Sequence, residues 1–150
     1  MKNIMTALGW CFIPLLVFSY SGFWKESCFV LLLFVFIRVL IGSIVRDIKD
    51  IKGDIAFEIK TIPSVISLKK TKVILYLLTL FASGCLIYGI VKGLISSIGY
   101  MNLALLCLSY FYLVPLDYRN AHKIYEICLI SHRILDGLLL LVINLFMGVW

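Results

Sequence analysis

The chain has 150 residues, of which 63% are hydrophobic and 15% are charged, and its mean hydropathy is +1.08. Soluble domains contain about half apolar and about a quarter charged residues, so this composition excludes an ordinary water-soluble domain. It also excludes collagen-like, disordered and small disulfide-bonded proteins. The remaining class is an integral membrane protein, and the formal net charge of +6 must be consistent with that class.

Five apolar runs are long enough to cross a bilayer, which requires about 20 helical residues. Each run contains at most one charged residue, and none shows the alternation of polar and apolar residues that is typical of membrane β-barrels. The predicted fold is an all-α, polytopic membrane helical bundle that forms a single domain. Its five predicted transmembrane helices cover residues 4–21, 27–45, 73–91, 98–116 and 134–150.

Basic residues are distributed unevenly between the two sides of the predicted bundle. Eleven Lys and Arg residues fall in the amino terminus and in the predicted loops 46–72 and 117–133, whereas the opposite side has Lys25 and Lys92. Cytoplasmic segments carry such an excess, so both long loops are predicted to be cytoplasmic. The chain is then a multi-pass protein of the inner or cell membrane, and its charge attracts anionic lipid headgroups. The sequence contains no separate basic domain of the kind that would indicate a nucleic-acid partner.

Arg38 is the one basic residue inside the second predicted span, and the sequence leaves two explanations open for it. In the first explanation, the Arg38 side chain extends to the membrane surface, as long basic side chains near helix ends do. Alternatively, it faces a polar cavity that holds an acidic partner.

The loop after the second span begins with the charged run Arg46-Asp47-Ile48-Lys49-Asp50-Ile51-Lys52-Gly53-Asp54. If the helix continues through Val45, Asp47, Asp50 and Asp54 fall within about 60° of one another around its axis. The two lysines of the run then lie on the opposite side. Three carboxylates on one face repel each other unless a cation lies among them.

A divalent cation such as Mg²⁺ fits this pattern, because it prefers oxygen ligands and usually binds one or two carboxylates together with substrate phosphates. The i, i+4 spacing of Asp50 and Asp54 allows two side chains to reach one ion from successive turns. The alternative is a solvated charged run at the end of a span, whose lysines only anchor the helix at the headgroups. The spacing alone does not decide between the two interpretations.

The residues that follow extend the pattern. Asp47-Ile-Lys-Asp50-Ile-Lys-Gly53-Asp54 is followed by Phe57-Glu-Ile-Lys60-Thr61-Ile-Pro63 and then by Leu68-Lys69-Lys70. This stretch resembles the second aspartate-rich motif of the UbiA superfamily of intramembrane prenyltransferases. That motif has a D-x-x-D-x-x-x-D run with Gly before its last Asp, then a Lys/Arg-Thr/Ser-Leu/Ile-Pro segment, and then a small basic patch.

The place of the motif in the chain agrees with this resemblance. Members of the family have nine transmembrane helices, and their second motif lies in the cytoplasmic loop after the sixth. Here the motif follows the second of five predicted spans. The chain therefore resembles helices five to nine, which form the carboxy-terminal half of the family fold.

The resemblance implies a transferase that moves a polyprenyl group from a prenyl diphosphate to a hydrophobic acceptor, either aromatic or lipid. Mg²⁺ is the implied cofactor, because it bridges the aspartates and the diphosphate and stabilises charge on the leaving group. Asp50 and Asp54 are the expected metal-binding pair, and Asp47 is expected to assist. No residue is assigned a directly catalytic role.

Three basic residues are candidates for contacts with the diphosphate. Lys60 comes first because it lies inside the motif, and Arg119 and Lys123 follow from the second cytoplasmic loop. Anchoring at the membrane surface explains each of the three equally well.

One part of the family pattern is missing from these 150 residues. Active members carry a first aspartate-rich motif in their amino-terminal half, whereas the only acidic residue before Asp47 is Glu26. The chain alone is therefore expected to be inactive, either as a fragment or as a partner of a second polypeptide that supplies the first motif. The alternative function is a non-catalytic membrane protein or truncated remnant. A small transporter subunit has less support, because no span shows paired charges.

Overall fold

A computed structural model of the chain describes residues 2–22, 25–94, 98–117, 120 and 122–127, and the regular structure in these ranges is entirely helical. The helices in chain order are α1 (Lys2–Ser21), α2 (Glu26–Ala56), α3 (Ile62–Val65), α4 (Leu68–Val91) and α5 (Ile98–Leu113). Residues 122–127 are helical as well. The predicted all-α class is confirmed.

Three of these helices are long and apolar enough to cross a membrane, which agrees with the prediction of an integral membrane protein. The segments that could cross a membrane are Lys2–Tyr20 of α1, Glu26–Ala56 of α2 and Leu68–Val91 of α4. The fourth predicted span, residues 98–116, overlaps α5, which has 16 residues. The fifth predicted span, residues 134–150, lies outside the described residues.

Helix α2 is central to the described bundle, because α1 and α4 both pack against it, while α5 packs against α4. Its 31 residues extend about 46 Å, which is longer than the roughly 30 Å of a hydrocarbon core. The helix continues through Val45 into the aspartate run without a break and ends at Ala56, which is eleven residues beyond the predicted end of the second span. Its last turns therefore carry the three aspartates beyond its apolar section.

The core lies along the sides of α2 that face its neighbours. Ile41, Ile44 and Val45 of α2 are at most 1% exposed, and Leu75 of α4 is fully buried. Close packing of these side chains holds α2 against its neighbouring helices just before the aspartate run. Arg38 is 3% exposed, so the structure places it inside the bundle, and an acidic partner for it stays a prediction.

A tight turn ends α2 and leads the chain back toward the aspartates. The Phe57 N–H donates to the Gly53 carbonyl oxygen at 3.0 Å. The Ile59 N–H donates to the Asp54 carbonyl oxygen at 2.8 Å. Between them, Glu58 has a φ of 55°, a left-handed conformation that costs a residue with a Cβ atom about 1–2 kcal/mol.

Replacing Glu58 by Gly is expected to raise the free energy of unfolding by about 0.5–1 kcal/mol. Glycine adopts a positive φ without a Cβ clash, which stabilises the folded state. The greater conformational entropy of glycine in the unfolded chain offsets part of this stabilisation. Denaturant unfolding in detergent micelles measures the change. The matched control is Glu58→Ala, which removes the same carboxylate but keeps Cβ, and it should not stabilise the protein. Equal stabilisation by both variants would attribute the effect to charge.

Candidate functional site at the polar end of α2

The three aspartates of α2 occupy two different environments. Asp47 and Asp54 are 1% and 6% exposed, whereas Asp50 is exposed to solvent. Asp50 lies at the edge of the common face, and it makes no hydrogen bond or ion pair with any described residue. Among the described residues, no three His, Cys, Asp or Glu side chains come close enough to hold one metal ion. The shared face predicted from spacing thus becomes two buried carboxylates and one exposed carboxylate.

Asp47 is buried against the first turn of α1. Lys2 Nζ lies 3.2 Å from Asp47 Oδ1, and the Lys2 side chain is 50% exposed while that of Asp47 is 1% exposed. The buried side chain of Asn3 also faces Asp47. Neither Asp47 Oδ2 nor Asn3 Nδ2 has a hydrogen-bond partner. A buried polar atom without a partner costs free energy, so Asp47 Oδ2 retains the capacity to accept a further donor or a cation.

Asp54 is oriented by the turn after α2. Thr61, which is 2% exposed, donates from Oγ1 to Asp54 Oδ2 at 3.2 Å. Thr61 is itself fixed, because its backbone N–H donates to Ser64 Oγ at 2.8 Å. The buried Pro63 lies in the first turn of the short helix α3, where a missing N–H costs nothing. The Thr-Ile-Pro segment of the motif therefore holds the Asp54 carboxylate in place.

Charge repulsion acts between the two buried carboxylates, which lie two helical turns apart, or about 10 Å along the axis. Burial raises the pKa of the Asp47 carboxyl, the side chains of Asn3 and Lys2 oppose this rise, and the Asp54 charge adds to it. Since Lys2 already compensates Asp47, Asp50 and Asp54 are the two aspartates of the run that have no cationic partner among the described residues.

The basic residues predicted to contact a diphosphate are only partly located. Lys60 is exposed in the turn directly before Thr61, and Lys123 is exposed in the helical segment 122–127. Neither contacts an aspartate in the described part of the chain. Arg119 lies outside the described residues.

The two predicted loops meet at the same end of the bundle. Tyr125 OH accepts a hydrogen bond from Arg46 Nε at 3.2 Å, and Lys49 Nζ lies 5.0 Å from the Tyr125 ring centroid. Lys72 Nζ donates to the Val114 carbonyl oxygen at 3.1 Å. Together with the contact between the first turn of α1 and α2, these interactions bring the amino terminus and both loops together. The assignment of this end to the cytoplasm stays a prediction.

Four residues of this site have no assigned role in the sequence pattern: Lys2, Asn3, Thr61 and Tyr125. Thr61 lies only seven residues after Asp54 within the aspartate-rich motif. This short separation is the one sequence feature that could have indicated a contact between them. Lys2 and Asp47 are 45 positions apart, and Arg46 and Tyr125 are 79 positions apart. Such contacts depend on how the helices pack, which no local pattern encodes.

Comparison with known proteins agrees with the resemblance around the aspartate run. The family model for the UbiA prenyltransferase family matches residues 1–128. The matched region contains all five named helices and every described residue of the candidate site. No curated protein and no solved structure matches the chain significantly. The family match covers well over half of the chain, and the chain therefore belongs to the UbiA prenyltransferase family.

Proposed function

We propose that the polar end of α2 binds the diphosphate of a polyprenyl donor through Mg²⁺, as part of an intramembrane prenyltransferase site. Family membership supports a prenyltransferase-like membrane protein that uses a prenyl diphosphate and a hydrophobic acceptor. The observation that carries the proposal is the exposed Asp50 one turn before Asp54, on a membrane helix that extends beyond its apolar section. The acceptor is aromatic or lipid, and the site faces the cytoplasm.

The oxygen donors at this end of α2 fit Mg²⁺. Asp50 is exposed and makes no bond within the described residues, and Asp47 Oδ2 has no hydrogen-bond partner. Mg²⁺ usually takes one or two carboxylates plus substrate phosphates and keeps several waters, so a cluster of three protein ligands is not required. An ion held by these aspartates would neutralise the charge that develops on the diphosphate leaving group.

The described residues support Asp50 and Asp54 as the metal-binding pair, with Asp47 assisting. The Lys2 ammonium group already compensates Asp47, whereas the other two carboxylates have no cationic partner among the described residues. Thr61 donates to Asp54 Oδ2, so the other oxygen of this carboxylate is left for the ion. The role of Thr61 in our proposal is to hold Asp54 in one orientation before the ion binds.

Diphosphate contacts are assigned to Lys60, Arg119 and Lys123. Lys60 is exposed beside the Asp54–Thr61 hydrogen bond and has no acidic partner in the described part of the chain. Lys123 belongs to the segment that reaches α2 through Tyr125. Arg119 is included because it lies in the same loop as Lys123.

A second candidate function, a non-catalytic membrane protein, is favoured by the missing first aspartate-rich motif. Glu26 is the only acidic residue before Asp47, and it begins α2 about 32 Å from Asp47 along the helix axis. It therefore has no access to a diphosphate bound at the polar end.

We propose that the described helices belong to the carboxy-terminal half of the family fold, helices five to nine, and that a further polypeptide segment supplies the first motif. Prenyl transfer by the purified chain alone would contradict this part of the proposal.

Replacing Asp50 and Asp54 together by Asn is expected to weaken Mg²⁺-dependent binding of farnesyl diphosphate by at least about tenfold. The double variant loses two anionic oxygen ligands but keeps the side-chain shapes and an oxygen that accepts from Thr61. Calorimetric titration of the protein in lipid nanodiscs, with and without EDTA, measures the affinity. Glu26→Gln is the matched control, because it removes a carboxylate from the other end of the same helix. If the double variant bound as tightly as the wild type, the site assignment would be wrong.

Replacing Lys2 by Met is expected to lower the free energy of unfolding by about 1–2 kcal/mol in the absence of Mg²⁺. This range lies between the values for exposed and buried ion pairs, because Lys2 is half exposed and Asp47 is buried. Added Mg²⁺ should raise the unfolding midpoint of this variant more than that of the wild type, since the ion can replace the lost ammonium group. The comparison with Lys2→Met/Asp47→Asn provides the control. If the extra Mg²⁺ response over that of the wild type persisted without the Asp47 carboxylate, Asp47 would not belong to the site.

A further inference from the structure

Arg46 has a special position in the aspartate run. It precedes Asp50 by four residues, and no other basic residue lies three or four positions from Asp47, Asp50 or Asp54. Residues at this spacing are neighbours on a helix, and opposite charges at this spacing attract each other. An ion pair between Arg46 and Asp50 is therefore the pairing that α2 by itself would favour. It would occupy the exposed carboxylate and compete with a divalent cation.

The structure shows a different partner for Arg46. Its Nε donates to Tyr125 OH at 3.2 Å, and its Cζ lies 5.7 Å from the centroid of the Tyr125 ring. Both contacts commit the guanidinium group to the helical segment 122–127. Asp50 makes no ion pair or hydrogen bond with the described residues. Tyr125 thus takes the place that Asp50 would have at the guanidinium group.

The Tyr125 ring is the fixed member of this cluster. It is half-buried and packs against the hydrophobic core, whereas Arg46 and Lys49 are exposed. Lys49 precedes Asp50 directly, and its Nζ lies 5.0 Å from the same ring centroid. The electron-rich face of an aromatic ring attracts cations, and the hydroxyl oxygen adds a hydrogen-bond acceptor for Arg46. An exposed i, i+4 ion pair is weak, so these contacts are sufficient to displace it.

We infer that Tyr125 is a positioning residue that keeps Arg46 out of an ion pair with Asp50, so that the Asp50 carboxylate stays available to a divalent cation. The inference rests on the proposed function of the aspartates as a metal-binding site. It assigns a task to the second predicted loop, because a residue of that loop sets the charge environment of the first. The contact between Arg46 and Asp50 forms when Tyr125 is removed.

Carboxylate labelling tests the inference without any metal. The full chain in detergent micelles is treated with a carbodiimide and glycine ethyl ester, and mass spectrometry measures the labelling rate of Asp50. Glu58 is the internal reference, because it is exposed near the same end of α2. Tyr125→Ala should lower the rate of Asp50 relative to Glu58 by about twofold, which is the effect expected of an i, i+4 ion pair. Arg46→Gln/Tyr125→Ala should restore the wild-type rate.

Two further variants separate the inference from a general loss of structure. Lys49→Gln/Tyr125→Ala should keep the reduced rate, because Lys49 does not have ion-pair spacing from Asp50. Tyr125→Phe keeps the ring and its packing but loses the hydroxyl acceptor, and it should lower the rate by less than Tyr125→Ala does. Unfolding midpoints identify any variant that fails to fold, and if Tyr125→Ala fails, Tyr125→Phe with and without Arg46→Gln decides the outcome.

An unchanged Asp50 rate in the folded Tyr125 variants would overturn the inference, and so would a decrease that Arg46→Gln does not reverse. A parallel titration with Mn²⁺, followed by electron paramagnetic resonance, tests the proposed function separately. Absence of Mn²⁺ binding to the wild type would count against the metal site alone, because the labelling experiment contains no metal ion.

Discussion

The unbroken length of α2 is the constraint on which the candidate site depends. One helix carries both the apolar section that crosses the membrane and the three aspartates beyond it, so the depth of the carboxylates is set by the packing of Ile41, Ile44 and their neighbours against α1 and α4. Because an α-helix rises only about 1.5 Å per residue, an extension of seven residues is enough to place Asp54 about 10 Å from Asp47. The turn around Glu58 then ends the extension and returns the chain to Asp54.

Three charged groups of this extension each interact with a different segment of the chain. The first turn of α1 supplies Lys2 to Asp47, the turn after α2 supplies Thr61 to Asp54, and segment 122–127 supplies Tyr125 to Arg46. Isolated from these partners, the run would behave as an ordinary solvated helix end in which Arg46 pairs with Asp50. The tertiary structure converts it into a surface on which Asp50 is exposed and unpaired within the described residues. The site is therefore a product of the packed bundle, although all three aspartates come from one helix.

The sequence alone predicts the helical class and the three apolar helices that are long enough to cross a membrane, because each depends on the spacing of residues that are close in the chain. The aspartate face also follows from helical periodicity. Periodicity defines directions around one helix, but it does not define what packs there, and for this reason the burial of Asp47 and the exposure of Asp50 were not predictable. Lys2 lies 45 positions from its partner Asp47, and Tyr125 lies 79 positions from its partner Arg46. The positive φ of Glu58 also lacks a local signal, since left-handed residues are usually Gly or Asn.

The exposure of Asp50 places a requirement on the rest of the proposed site. Departure of a diphosphate leaves an allylic carbon with cationic character, and water would capture it unless the reacting carbon is in a desolvated space. The described helices cover Asp47 and Asp54 but leave Asp50 open to solvent. A wall on the Asp50 side is thus needed for prenyl transfer, and residues other than those described must provide it. Because a diphosphate carries more negative charge than one Mg²⁺ ion neutralises, that wall must also add positive charge or a second metal-binding group. The exposed lysines near α2 would meet the first of these needs in the proposed site, whereas a second acidic cluster, which is absent from these 150 residues upstream of Asp47, would meet the other.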